Sequence, residues 1–104
     1  MLESAYEACL AFELLERGLP FVRQKPLPLT YRGNTLDCGY RLDLLVDSLV
    51  VVEVKAIAAF DPVHVAHMLS YLRLSGCKVG LLINFKVKWL VSDGVKRLVH
   101  EFPE

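Results

Sequence analysis

The sequence predicts an α/β domain in which a mixed β-sheet is flanked by helices. Three observations lead to this prediction: a helical apolar pattern at the start of the chain, a group of β-prone runs after it, and a second helical pattern followed by another apolar strand. Because the chain has 104 residues, it has room for a single domain, to which we assign residues 1–104.

The first helix is predicted over residues 2–17, and Gly18 followed by Pro20 ends it. Its apolar residues recur at three- and four-residue spacing, and three leucines widen the stripe, so we expect the helix to pack on more than one side. The stripe consists of Leu2, Ala5, Tyr6, Cys9 and Phe12, widened by Leu10, Leu14 and Leu15.

Three strands are predicted next. Residues 21–31 favour a strand at a sheet edge or with a break, because Pro26 and Pro28 cannot donate backbone hydrogen bonds. Residues 36–46 are expected to return as a second strand after a turn at 32–34. A tight reversal at Asp47-Ser48 then leads into residues 49–57, a strongly β-prone run.

The second half of the chain predicts a helix crossover. Asp61 is a helix N-cap and Pro62 suits the first helical position, so the helix runs from there to about Ser75 and ends at Gly76. Residues 78–85 read as a buried strand. Two short strands, at 88–91 and 95–99, are expected to turn at 93–94 as a C-terminal β extension. An antiparallel meander followed by a helix crossover implies a mixed sheet.

The charge and the hydrophobic content of the chain limit the classes of protein to which it can belong. Net charge is zero, so the totals do not favour nucleic acid, but the stretch from 73 to 100 is mostly basic, as a phosphate-binding rim or a solvated face would be. No apolar run approaches the roughly 20 residues that span a bilayer, and the acidic start lacks a basic leader. We therefore expect a cytoplasmic protein that does not enter membranes, and the 54% of hydrophobic residues leaves room for a homodimer.

The cysteines predict no disulfide framework. Cys9, Cys38 and Cys77 are widely spaced and odd in number, so we expect small buried hydrophobic side chains in a reducing compartment.

Candidate chemistry lies on the second and third predicted strands. Side chains alternate between the two faces of a strand, so Glu53 and Lys55 point the same way. Pairing the strands about the Asp47-Ser48 reversal brings Asp43 close to Glu53. Two carboxylates in apolar strands are costly unless they are paired or bind a cation, and their oxygens suit Mg²⁺ or Mn²⁺ better than zinc. An ion pair between Glu53 and Lys55 on a solvated face is the alternative.

These residues resemble the signature of the PD-(D/E)XK nuclease superfamily, and more specifically of its GxxExxY family. The resemblance covers nearly the whole chain, although the glycine of the first motif would precede Met1. It is carried by the segments 2–6 (LESAY), 39–46 (GYRLDLLV), 52–55 (VEVK) and 80–85 (GLLINF).

The resemblance implies a restriction-endonuclease-like αβββαβ core and a metal-dependent nuclease acting on DNA or RNA. Asp43 and Glu53, aided by the carbonyl group of Val54, would bind Mg²⁺ or Mn²⁺, and Lys55 would orient the attacking water and offset charge on the phosphorus. Glu3 would be a further carboxylate that orients water. An ordinary first-turn glutamate, favoured by the helix dipole, is the alternative for Glu3.

Further candidates for contact with phosphate or substrate lie nearby. Arg41 shares a face with Asp43 on simple alternation, but it could equally pair with a local acid. Related nucleases often carry Gln-x-x-x-Tyr on the second helix, where this chain has His67 and Tyr71 on one face. His67 could line the cleft or be an ordinary surface histidine, and with His64 it lacks the further ligands of a zinc site.

Some aromatic residues have a simpler explanation. We expect Tyr6, Phe85 and Trp89 to pack in the core rather than to stack on bases.

Two other functions remain open from the sequence alone. One is a catalytically inactive module that keeps the nuclease fold and binds nucleic acid or a protein. The other is a structural dimer or a toxin–antitoxin-like partner. Neither would cleave nucleic acid when a divalent metal is added.

Overall fold

A computed structural model describes residues 2–87 and 90–100, except the side chain of Val91. Its main sheet has five strands in the order β1-β4-β5-β6-β7, and β2 and β3 form a separate hairpin. The elements are α1 (Glu3–Glu16), β1 (Phe21–Pro26), β2 (Leu29–Tyr31), β3 (Asn34–Leu36), β4 (Arg41–Val46), β5 (Val50–Lys55), α2 (Pro62–Ser75), β6 (Val79–Asn84), a π-helical turn (Leu90–Gly94) and β7 (Val95–Val99).

The sheet is mixed, as predicted. β1, β4 and β5 form an antiparallel meander with β1 at one edge. The α2 crossover then places β6 parallel to β5, and β7 runs antiparallel to β6 at the other edge. With the β2–β3 hairpin as an insertion, this is the expected αβββαβ core with a C-terminal strand.

The helices lie on opposite faces of the sheet. Adjacent residues of a strand point to opposite faces, and Val51 packs with Met68 and Leu72 of α2, whereas Val52 packs with Ala11 of α1. Gly80 lets α2 come close, since a Cβ atom there would lie 2.9 Å from the Cγ atom of Met68.

Local signals at α2 and the β4–β5 turn are confirmed. The carboxylate of Asp61 accepts the Val63 N–H, and Gly76 ends α2 with a φ of 77°. Asp47 and Ser48 have φ values of 53° and 56°, as in the two-residue turns that match the twist of a hairpin.

Two strand predictions are wrong. The strand expected at 36–46 is broken into β3 and β4, because the Asp37 side chain accepts the Gly39 N–H and Gly39 takes a φ of 79°. Part of the strand expected at 88–91 is instead the π-helical turn; here Gly94 packs against the backbone of Asn84, leaving no room for a side chain. Residues 88 and 89, including Trp89, lie outside the described residues.

The predicted stripe of α1 is wrong in part, because Leu2, Cys9, Phe12 and Leu15 are exposed whereas Leu10 and Leu14 pack against the core. The face that packs on the sheet is formed by Glu7, Leu10, Ala11 and Leu14. Phe12 is instead 58% exposed. Leu10, Ala11 and Leu14 pack with residues of the sheet, and Tyr6 of the same helix stacks on Phe85.

Two of the cysteines contradict the expectation of burial. Cys9 and Cys38 are exposed, and Cys77 is half-buried. Cys9 lies on the face of α1 that points away from the sheet, and Cys38 lies in the turn between β3 and β4. Among the described residues, neither α-helix has the length and apolar character that crossing a bilayer demands.

Candidate functional site

Glu53 lies in the middle of β5 and faces α2. It is 5% exposed, and its Oε1 atom has no hydrogen-bond partner among the residues that the structure describes. Burial, then the neighbouring Asp43 carboxyl group, raises the pKa of Glu53 to about 9, while the charge of Lys55 acts in the opposite direction. A buried carboxyl group with an unused oxygen is costly unless something else joins it.

Asp43 adjoins Glu53 through the β4–β5 hairpin. Leu44 pairs with Val52 in this hairpin, and the same register places position 43 opposite position 53. Asp43 accepts the Val54 N–H through Oδ2 at 2.8 Å. This bond holds the Asp43 carboxylate against the backbone of β5 at Val54, the residue that follows Glu53.

Lys55 and Glu53 line the same small cavity, below α2, together with His64, His67 and Tyr71. Lys55 forms no salt bridge in the part of the chain that the structure describes, so the alternative of a Glu53–Lys55 ion pair is not realised there. Lys55 as a whole is half-buried, and its ammonium group remains available to another anion.

The α2 residues divide into two roles. His64 caps the helix, since its Nδ1 atom accepts the Asp61 N–H at 2.8 Å. His67 is exposed and lines the cavity. Tyr71 is half-buried there, and burial, followed by the charges of Glu53 and Asp43, raises the pKa of its hydroxyl group.

Two predicted candidates lie elsewhere. Glu3 is exposed and accepts the Ala56 N–H through Oε2 at 2.9 Å, which ties the start of α1 to the end of β5. Arg41 pairs with Asp37 at 3.4 Å and donates to the Tyr40 carbonyl oxygen at 2.8 Å, so the local-acid alternative is the one that the structure shows.

A second layer of residues supports Asp43 from the other side. Glu7 is 5% exposed and accepts two hydrogen bonds from Arg23, at 2.9 and 3.1 Å, and one from Gln24 at 2.7 Å. The same Gln24 amide reaches Oδ1 of Asp43 at 3.5 Å. Gln24 has a φ of 50°, and the β1–β4 pairing skips it, so a local break in β1 turns this amide toward the site.

Asn84 holds the loop that follows Lys55. It is 1% exposed, accepts the N–H groups of Ile57 and Lys86, and donates to the Ile57 carbonyl oxygen at 2.8 Å. Tyr6 stacks on Phe85, with ring centroids 4.7 Å apart. Both residues are half-buried and pack on each other, but neither belongs to the two core clusters, so the expectation of core packing is met only in part.

The sequence interpretation missed Glu7, Gln24 and Asn84. A signal existed for Glu7, because a helical projection places it with Leu10, Ala11 and Leu14, and an acid within an apolar stripe indicates a buried contact. Gln24 and Asn84 had no comparable signal.

A divalent cation such as Mg²⁺ needs several oxygen ligands around it. No group of three or more histidine, cysteine or acidic side chains is arranged for a metal within the described ranges. Two adjacent carboxyl groups, one with a buried oxygen that lacks a partner among the described residues, nevertheless suit Mg²⁺, which usually takes one or two protein carboxylates and keeps several waters. The residues present therefore fit this ion.

Comparison with known proteins agrees with the fold. The family model of the PD-(D/E)XK nuclease superfamily matches residues 1–98. The chain therefore belongs to the PD-(D/E)XK nuclease superfamily. No curated protein and no solved structure matches it.

Proposed function

We propose that this chain is a metal-dependent nuclease of the GxxExxY group that hydrolyses phosphodiester bonds in DNA or RNA. Membership of the nuclease superfamily supports a nucleic acid as the substrate. The observation that carries the proposal is the buried Glu53 carboxyl group, which has an unpaired oxygen beside Asp43 and shares its cavity with Lys55.

Asp43 and Glu53 would hold Mg²⁺ or Mn²⁺, aided by the carbonyl group of Val54. When bound, the cation supplies positive charge that polarises the phosphodiester and makes water a better nucleophile at neutral pH. The hydrogen bond from the Val54 N–H keeps Asp43 in place, so little rearrangement accompanies binding.

Lys55 would orient the attacking water and neutralise charge that accumulates on the phosphoryl oxygens. Its lack of a salt bridge in the described chain leaves the ammonium group available for this role. His67 and Tyr71 would contact the substrate from α2, since both line the cavity.

Glu3 and Arg41 would have indirect roles in the proposed reaction. Glu3 would act by holding the backbone at Ala56, next to Lys55, because its carboxylate is already engaged there. Arg41 would reach phosphate only after leaving Asp37, an exposed pairing of the kind that contributes little to stability. A single domain over 1–104, a cytoplasmic location and a homodimer stay predictions.

A cleavage assay tests the proposal. Purified protein is incubated with labelled single-stranded and duplex DNA and RNA, with Mg²⁺, with Mn²⁺ or with EDTA. We expect cleavage that needs the metal. Asp43→Asn and Lys55→Ala should each lower its rate by roughly 100-fold or more, because the first weakens a ligand of the cation and the second removes the positive charge beside the reacting phosphate.

Matched controls lie at the other end of the sheet. Asp47→Asn changes an acid in the β4–β5 turn, where its positive φ suits asparagine, and Lys78→Ala removes an exposed lysine before β6. Both should cleave like the wild type. Equal cleavage by the wild type, Asp43→Asn and Lys55→Ala would show that these residues do not form the catalytic site.

A further inference from the structure

A second and larger cavity opens beside the candidate site. It has a volume of about 360 Å³, and two of its lining residues, His67 and Tyr71, also line the Glu53–Lys55 cavity. The two cavities therefore share part of α2 as a wall. We call the larger one the aromatic cleft and define it by Tyr40, His67, Tyr71 and Arg73.

The aromatic cleft is walled by two tyrosines from different parts of the chain. Tyr40 precedes β4 and Tyr71 lies on α2, and their ring centroids are 6.3 Å apart with a 59° angle between the planes. Tyr40 is 43% exposed, yet its carbonyl oxygen accepts hydrogen bonds from the Leu27 N–H and the Arg41 side chain. A large aromatic ring is thus held on a fixed backbone with much of its surface free.

The charges around the aromatic cleft favour an anionic ligand with a flat apolar part. Arg73 and His67 are exposed at its margin, and none of its lining residues is acidic. A nucleotide has this composition, since its base can stack on tyrosine and its phosphate can approach arginine. The apolar contribution of Leu29 and Leu74 to the lining suits the face of a base.

We propose that the aromatic cleft binds one unpaired base, stacked on Tyr40, of the nucleotide next to the phosphate held by the candidate site. The inference rests on the proposed function and adds a substrate class: single-stranded or locally unpaired DNA or RNA. A base within a duplex is covered on both faces by its neighbours, so it must leave the stack before it can lie on Tyr40.

Binding of short fluorescent strands in EDTA, read by anisotropy at constant ionic strength, tests this inference without cleavage. The probes are oligodeoxythymidine, oligouridine, a DNA strand of the same length in which every base is missing, and a blunt duplex. Tyr40→Ala should weaken binding of both base-containing single strands by roughly 5- to 150-fold, the range expected for one stacked base. The same substitution should leave the affinities for the abasic strand and for the duplex unchanged.

Two further variants separate stacking from structural damage. Tyr40→Phe keeps the ring and should bind like the wild type. Phe12→Ala removes an exposed aromatic ring from α1, on the opposite face of the sheet, and should also bind normally. Thermal melts of all variants verify that each is folded.

The inference is overturned if Tyr40→Ala binds oligodeoxythymidine and oligouridine as the wild type does, or if the abasic strand binds as tightly as they do. The outcome is independent of catalysis. If binding depends on Tyr40 but no metal-dependent cleavage is seen, the nuclease proposal is contradicted and the base-binding site is supported. If metal-dependent cleavage is seen but Tyr40→Ala binds as the wild type does, the nuclease proposal is supported and the base-binding site is contradicted.

Discussion

At the scale of single residues, the site depends on an acid in a place that disfavours ionisation. Glu53 is buried beside a second carboxyl group, and its pKa is raised to about 9. In metal-free protein the folded state therefore keeps a proton on Glu53 that the unfolded chain releases near the ordinary value of 4.5. A bound cation would favour the ionised form instead.

This difference predicts a pH dependence of stability in the metal-free protein. Between about pH 4.5 and pH 9 the native state binds more protons than the unfolded state, so the free energy of unfolding falls as pH rises. Glu53 contributes up to about 1.4 kcal/mol per pH unit to this fall. Urea denaturation in EDTA at several pH values measures it. Glu53→Gln should have a distinctly flatter profile, and identical profiles would contradict the assignment.

At the scale of elements, α1 is attached to the sheet by a polar contact within its apolar face. The Glu7 carboxylate accepts hydrogen bonds from the side chains of Arg23 and Gln24 on β1. The Gln24 amide also donates a hydrogen bond to Asp43 on β4. One helix, an edge strand and a strand of the site are thereby linked, so a change on α1 can alter the position of Asp43, the carboxylate that we propose binds the cation.

Glu7→Ala should cost about 1–2 kcal/mol of stability and should also reduce cleavage. The stability loss stays moderate because Arg23, 42% exposed in its side chain, can be solvated once its partner is gone. Chemical denaturation and a cleavage assay at saturating Mg²⁺ measure the two effects. Glu13→Gln, which alters an exposed pair with Arg17 on the same helix, should leave both quantities nearly unchanged.

If Glu7→Ala lowers stability but cleaves as fast as the wild type under folding conditions, the contact is only structural. In that case Gln24 does not help to position Asp43.

At the scale of the whole molecule, the candidate site is assembled from two strands of the sheet and α2. β5 carries Glu53 and Lys55 at its centre and end, β4 brings Asp43 alongside, and α2 covers them with His67 and Tyr71. The free energy of metal binding should therefore add to the free energy of folding, because the unfolded chain does not keep these groups together.

Mn²⁺ should raise the melting temperature of the wild type and not that of Asp43→Ala. At 100 times the dissociation constant, a ligand bound only by the native state adds about 2.7 kcal/mol, enough for a shift of several degrees in a domain of this size. Differential scanning fluorimetry with and without Mn²⁺ measures the shift, and Asp47→Asn serves as the control. Equal shifts in wild type and Asp43→Ala would place the metal elsewhere.

Strands, turns and caps were largely predictable because they follow from neighbouring residues. The alternation of side chains along 50–55, the reversal at Asp47-Ser48 and the cap at Asp61 are local properties with fixed geometry. Together they predict a hairpin that brings Asp43 alongside Glu53. The break at Gly39 escaped prediction because the flanking residues still favour strands.

The amino-acid sequence by itself determined the αβββαβ order and the placement of two acids and a lysine on paired strands, since these follow from side-chain periodicity and short turns. Only the tertiary structure decided which face of α1 is buried, that Glu7 and Gln24 support Asp43, and that Tyr40 meets Tyr71. These contacts join residues far apart in the chain, and they depend on how whole elements pack rather than on any pattern within one of them.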